Sequence, residues 1–100
     1  MPEFPIDDLA VEPWERAVLR NFMDHDGRLK SIPARHKKRM VILRWLADHF
    51  KPAVRYPERQ VNEILSRYHP DVASLRRWMV DEELMQRTPG VYWRAGTLPN

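Results

Sequence analysis

The chain has 100 residues, 43% of them hydrophobic, a formal charge of +3 and no cysteine. That length suits one domain with its own core, and the apolar fraction is close to the globular norm of roughly 45–50%, which argues against wholesale disorder. The missing cysteines exclude disulfides, thiolate zinc sites and cysteine nucleophiles together, and they fit a cytoplasmic protein.

Residues 1–12 read as an acidic, proline-containing arm, with no basic start followed by an apolar run, so a signal peptide is not expected. Residues 1–27 carry seven acidic side chains against two arginines, which leaves the rest of the chain strongly basic. A basic body attracts polyanions by releasing their counterions; it is equally able to attract its own acidic arm. From Pro13, well suited to a first helical turn, the spacing predicts a helix to about Met23. Its stripe of Trp14, Val18 and Phe22 is too apolar to leave in water. That stripe must pack on its own domain or across a homodimer. Gly27 permits a sharp reversal toward the next helix, which favours packing within the chain and a monomer.

Asp24-His25-Asp26-Gly27 is read as a turn rather than a calcium loop. Such a loop needs glycine at its sixth position and glutamate at its twelfth, whereas Gly27 comes too early and the twelfth position is Arg35. Arg28 to Ile32 alternates polar and apolar, as a short half-buried strand does. Pro33 is expected to open a second helix running to about Phe50, with Met40, Leu43, Leu46, Ala47 and Phe50 as its buried stripe. The longest unbroken apolar run, Met40 to Leu43, is far short of the roughly 20 residues of a membrane-spanning helix.

Pro52 ends that helix, and Val54-Arg55-Tyr56 is short and β-prone. A third helix is expected from Pro57, where Val61, Ile64, Leu65 and Tyr68 mark one face. His69-Pro70 breaks it, and Asp71 is a good N-cap for a fourth helix. Val72, Leu75, Trp78 and Met79 are its core face. Leu84 to Thr88, a Pro89-Gly90 turn and Val91 to Arg94 read as a β-hairpin, followed by a tail over 96–100. The order from residue 34 is helix, short strand, helix, tight break, helix, hairpin. It predicts a mostly α winged helix, an α+β helix-turn-helix with a β-hairpin wing and an extra N-terminal helix, as one domain over residues 13–95.

In that fold the helix from Asp71 is the one that faces a major groove. Helical spacing puts Ala73, Ser74, Arg77 and Asp81 outside, with Arg76 at the border. Arg76 and Arg77 either grip a guanine edge or a phosphate, with Ser74 adding a hydrogen bond, or pair with Asp81, Glu82 and Glu83. Arg87 and Arg94 flank the wing turn. Tyr92 and Trp93 point to opposite faces, one toward the core. The densest charge is Arg35-His36-Lys37-Lys38-Arg39, where cations oppose the dipole of the helix they start. Arg35, Lys37, Lys38 and Arg39 are therefore candidate phosphate contacts, or else a solvated face near Asp24, Asp26 and Asp48.

Reactive chemistry is not expected. His25, His36, His49 and His69 form no zinc-hydrolase pair, three glycines make no phosphate loop, and Ser31, Ser66 and Ser74 lack a nucleophile-elbow context. No catalytic residue, metal or cofactor is assigned. The expected function is a small nucleic-acid-binding, transcription-regulatory protein whose partner is double-stranded DNA. The alternative is a protein-interaction or ligand-sensing module that does not bind DNA itself, partnered by a regulatory protein.

Several short motifs stand out along the chain. They are Asp26-Gly27-Arg28-Leu29-Lys30 with Ile32-Pro33-Ala34, Lys37-Lys38-Arg39, Leu43-Arg44-Trp45-Leu46-Ala47 and Val61-Asn62-Glu63-Ile64-Leu65. Leu75-Arg76-Arg77 through Val80-Asp81 and Tyr92-Trp93-Arg94 complete the set. On these, residues 14–94 resemble a bacterial domain family of unassigned function, whose members occur alone or C-terminal to the helix-turn-helix of arsenical-repressor-type regulators. The resemblance implies association with transcription control. With no such domain ahead of it in this sequence, any DNA contact is expected from its own residues. Glu83 departs from the pattern, standing where a small or turn-forming residue is expected before the hairpin.

Overall fold

The computed structural model describes residues 12–97. The arm expected over 1–12 and the tail expected over 96–100 thus fall outside the described residues, apart from Glu12, Gly96 and Thr97. Helix α1 spans Pro13–Phe22, with Pro13 in its first turn and Glu15 Oε1 accepting from the Glu12 backbone N–H at 2.9 Å. The turn after it is built by Asp24, whose Oδ1 accepts from the N–H groups of Asp26 (2.8 Å) and Arg28 (3.0 Å). Gly27 supplies the φ of +79° that closes it.

The expected strand over Arg28–Ile32 does not form. A single antiparallel bridge joins Leu29 to Met23. The Leu29 N–H donates to the carbonyl of Tyr68 at 2.8 Å and that of Lys30 to Phe22 at 2.8 Å, so no ladder extends past one bridge. Leu29 is buried against the core, and that burial, rather than sheet pairing, accounts for the alternation.

Helix α2 spans His36–Ala47 and starts three residues later than Pro33 suggested. Pro33 is buried in the lead-in, Arg35 is the N-cap, and Phe50 is fully buried just beyond the helix end. Val41, Ile42, Leu43, Trp45, Leu46 and Ala47 are all buried, so this helix is covered nearly all round. It is the centre of the molecule, with α1 and α4 packed against it.

Strand β1 (Tyr56–Pro57) leads directly into α3 (Glu58–Ser66), so Pro57 closes a strand and caps the helix it was expected to open. Val61 and Leu65 of α3 are buried, and Arg28 Nη1 reaches the carbonyls of Ser66 and Arg67 at the helix end. The break at His69-Pro70 is followed by α4 (Val72–Asp81), capped by Asp71 and burying Leu75 and Met79. Strands β2 (Met85–Thr88) and β3 (Val91–Arg94) form the hairpin, one residue shorter than expected. The sheet is antiparallel in the order β1-β3-β2, pairing Tyr56 with Tyr92 and Arg87 with Tyr92.

This is the winged-helix arrangement, mostly helical with a small open three-stranded sheet and α1 prepended. Helix α1 docks on α2 of its own chain through Val18 and Leu19. Trp14, expected to be buried in that contact, lies at its edge: it is 42% exposed, with Lys37 Nζ of α2 4.8 Å from its ring centre. No helix among the described residues is long and apolar enough to cross a membrane.

Candidate nucleic-acid interface

Asp71 fixes the start of α4, its Oδ1 accepting from the Ser74 N–H at 3.3 Å. Hydrogen bonds from the Ser74 side chain and backbone hold the Asp71 carboxyl below the usual aspartate range. With Leu75 and Met79 turned inward, α4 leaves Ala73 and Arg77 exposed, as the helical spacing predicts. Trp78 sits on the α2 side, where the Arg39 guanidinium lies 5.1 Å from its ring centre.

On the opposite side, α4 and the inner face of the hairpin enclose a groove of about 350 Å³. Arg76 and Arg77 of α4 and Arg87 of β2 line it, with Asp81 as the one carboxylate among its walls. The Arg87 guanidinium lies 5.1 Å from the ring centre of Tyr92, which forms part of the floor. Tyr92 is buried and its hydroxyl donates to Glu58 Oε1 at 3.2 Å, so the surface under Arg87 is anchored to α3. A guanidinium stacked on a fixed aromatic ring loses less freedom on gripping a phosphate than one that waves in solvent.

The sequence candidates divide into three groups. Arg76, Arg77 and Arg87 come together at this groove. Arg76 is nevertheless committed: Nη1 donates to Asn62 Oδ1, Glu58 Oε2 lies 4.0 Å away, and only 19% of the side chain is exposed. Ser74 is half-buried, its backbone used by the cap.

The second group is the run at the start of α2. Arg35, Lys37 and Lys38 are exposed and Arg39 half-buried, and none of them lines the groove. Lys37 is drawn over Trp14, and Arg39 donates to the carbonyl of Ala34 at 3.0 Å while covering Trp78. His36 Nε2 lies 3.0 Å from Glu82 Oε2, tying this end of α2 to the C-cap of α4.

Arg94 stands alone. It reaches the carbonyl of Phe50 and Oδ1 of Asp48, each at 3.4 Å, away from the groove and toward α2. Sequence reasoning also missed Asn62 and Glu58, which hold one wall residue and the floor; nothing in a helical α3 pattern marks them as partners of α4 and β3.

Neither the curated proteins nor the solved structures gave a match to the chain. Residues 28–94 do match a family described as an uncharacterized protein conserved in bacteria, covering everything from the turn after α1 to the end of β3. The chain belongs to that family, DUF2087.

Proposed function

We propose that this protein is a non-catalytic, DNA-binding regulatory module that acts in the cytoplasm and meets double-stranded DNA with α4 and its wing. The observation that carries this reading is the groove that Arg77 of the helix and Arg87 of the hairpin line together from two elements. Two guanidiniums on rigid elements suit adjacent phosphates of one strand, and the N-terminal half of α4 then approaches the base edges. The resemblance to domains carried behind arsenical-repressor-type helix-turn-helix regulators supports a place in transcription control.

The test is a mobility shift with mixed-sequence duplexes across a range of salt. Binding is expected at micromolar protein and low salt. The affinity should fall with salt, and Arg77→Ala or Arg87→Ala should each reduce the salt slope by about one. No salt-dependent binding overturns the proposal.

A second reading is a protein-interaction or ligand-sensing module that does not bind DNA itself. It is favoured by Asp81 in the groove wall, and by Glu82 and Glu83 after it in the chain, acids that disfavour a phosphate backbone near this end of α4. Co-purification of a regulatory protein in the absence of nucleic-acid binding supports it.

A further inference from the structure

A second groove lies elsewhere on the molecule, along α2 between α1 and the turn that leads from α4 into the hairpin. It encloses about 360 Å³, at the small end of the roughly 300–1,000 Å³ of small-ligand sites. Its apolar lining is Leu19 of α1 and Val41 and Trp45 of α2, all buried, with half-buried Leu84 and Ala95 keeping exposed apolar surface. The same groove is also lined by two arginines and three carboxylates: Arg44, Arg94, Glu15, Asp48 and Glu83.

These charges are unequally committed. Glu15 is fully used, one oxygen accepting from the Glu12 N–H and the other from Arg44 Nη2, both at 2.9 Å. The backbone N–H of Glu12 and then Arg44 hold its carboxyl below the usual glutamate range. Arg94 is loosely held, since its contacts to Asp48 and to the Phe50 carbonyl are both 3.4 Å, against about 2.9 Å for a well-formed bond. Asp48 keeps 44% of its side chain exposed, and Glu83 is exposed. The loose cation and the two open anions thus stand around one hollow whose exposed apolar surface comes from Leu84 and Ala95.

We propose that this groove binds a free α-amino acid with an apolar side chain. Its carboxylate forks onto Arg94, with Arg44 beside it, as planar guanidinium and carboxylate groups pair. Its ammonium sits between Asp48 and Glu83, and its side chain lies against Leu84 and Ala95. A simple anion meets three carboxylates and a simple cation meets two guanidiniums; a zwitterion satisfies both sets. The exchange is affordable, because solvent-exposed ion pairs such as Asp48–Arg94 contribute only about 0–1 kcal/mol. The site does not depend on nucleic-acid binding, and it includes α1, which lies outside the residues 28–94 that define the family.

The test is calorimetric titration of the full chain with leucine and phenylalanine at millimolar concentration, against four controls. Leucinamide lacks the carboxylate, N-acetyl-leucine lacks the ammonium, and glycine lacks the side chain; the fourth control is leucine added to the Arg94→Gln protein. Binding is expected for the two free amino acids, with each control weakened by about tenfold or more, as loss of a charged hydrogen-bonding partner implies. Because three controls use the unaltered protein, a folding defect in the variant does not affect them. No heat from leucine or phenylalanine overturns the proposal, and so does any of the four controls binding as well as leucine does to the unaltered protein.

Discussion

Arg76 donates from Nη1 to Oδ1 of Asn62, a side-chain bond that ties α4 to α3. This gives the two adjacent arginines different jobs. Arg76→Ala strands the Asn62 acceptor and strips packing from the helix pair, so it should cost about 1–2 kcal/mol after allowance for partial exposure. Arg77→Ala and Arg87→Ala should change stability by no more than about 0.5 kcal/mol. Urea unfolding of the three variants checks this; equal losses would show that Arg76 carries no special structural weight.

Leu19, 1% exposed, is the main anchor of α1, and Trp14 is not. Leu19→Ala should therefore destabilise the protein by about 2–4 kcal/mol, and Trp14→Ala by less than about 1 kcal/mol. Deleting residues 1–26 should collapse the fold, because Val41 and Trp45 of α2 lose their cover. Light scattering adds the oligomeric state. A full-length dimer that becomes a well-folded monomer on truncation would mean that α1 serves a second copy instead.

Stability should fall on the acid side through three carboxylates whose titration is depressed in the fold. The Arg28 N–H lowers Asp24, Ser74 lowers Asp71, and the Glu12 N–H followed by Arg44 lowers Glu15. A depressed acid contributes stability that is fully present above its unfolded value, about 4, and is lost as pH drops through the lower folded value. The thermal midpoint should thus hold from neutral pH to about 4 on account of these groups, then decline. Asp71→Asn keeps a capping side chain but removes a titrating group, so its acid limb should be shallower. An unchanged limb would remove Asp71 from the explanation.

Glu83 holds a φ of +61° at the exit from α4, and Ala53 has the same value ahead of β1. A left-handed backbone costs a residue with a Cβ roughly 1–2 kcal/mol, partly offset in glycine by unfolded-state entropy. Glu83→Gly and Ala53→Gly should each raise stability by about 0.5–1 kcal/mol, seen as a rise of a few degrees in the melting midpoint. A fall at either position would mean that the side chain makes contacts worth more than the strain.

Local chemistry in the sequence foretold most of this fold. Asp71 as a cap, His69-Pro70 as a break and Pro89-Gly90 as a hairpin turn each act within a few residues, so their consequences are written in neighbouring letters. Even the oddity of Glu83 was visible as a large residue where a turn-former belonged, and its φ gives the reason. Trp14 and Leu29 were misread because periodicity tells which residues are apolar, not how far one helix overlaps the next or whether a partner strand lies alongside. The interface was half legible. Arg77 follows from helical spacing, but the commitment of Arg76 depends on Asn62, and the turning of Arg94 toward Asp48 depends on how the hairpin meets α2. Those contacts span 14 and 46 residues of sequence, beyond the reach of any local pattern.

The sheet order β1-β3-β2 also bears on how the chain folds as it is made. Strand β3 is the last of the three to be synthesised, yet it lies between the other two and supplies every sheet pairing that either of them makes. A nascent chain ending before Val91 therefore holds the four helices of the described residues and two strands that lack their partner. Helices, whose contacts are local, form early; the sheet must wait for a distant segment, and contacts of that kind slow folding. Tyr92 and Arg87 meet only at that last step, so the wing side of the groove is completed after the helical side already exists.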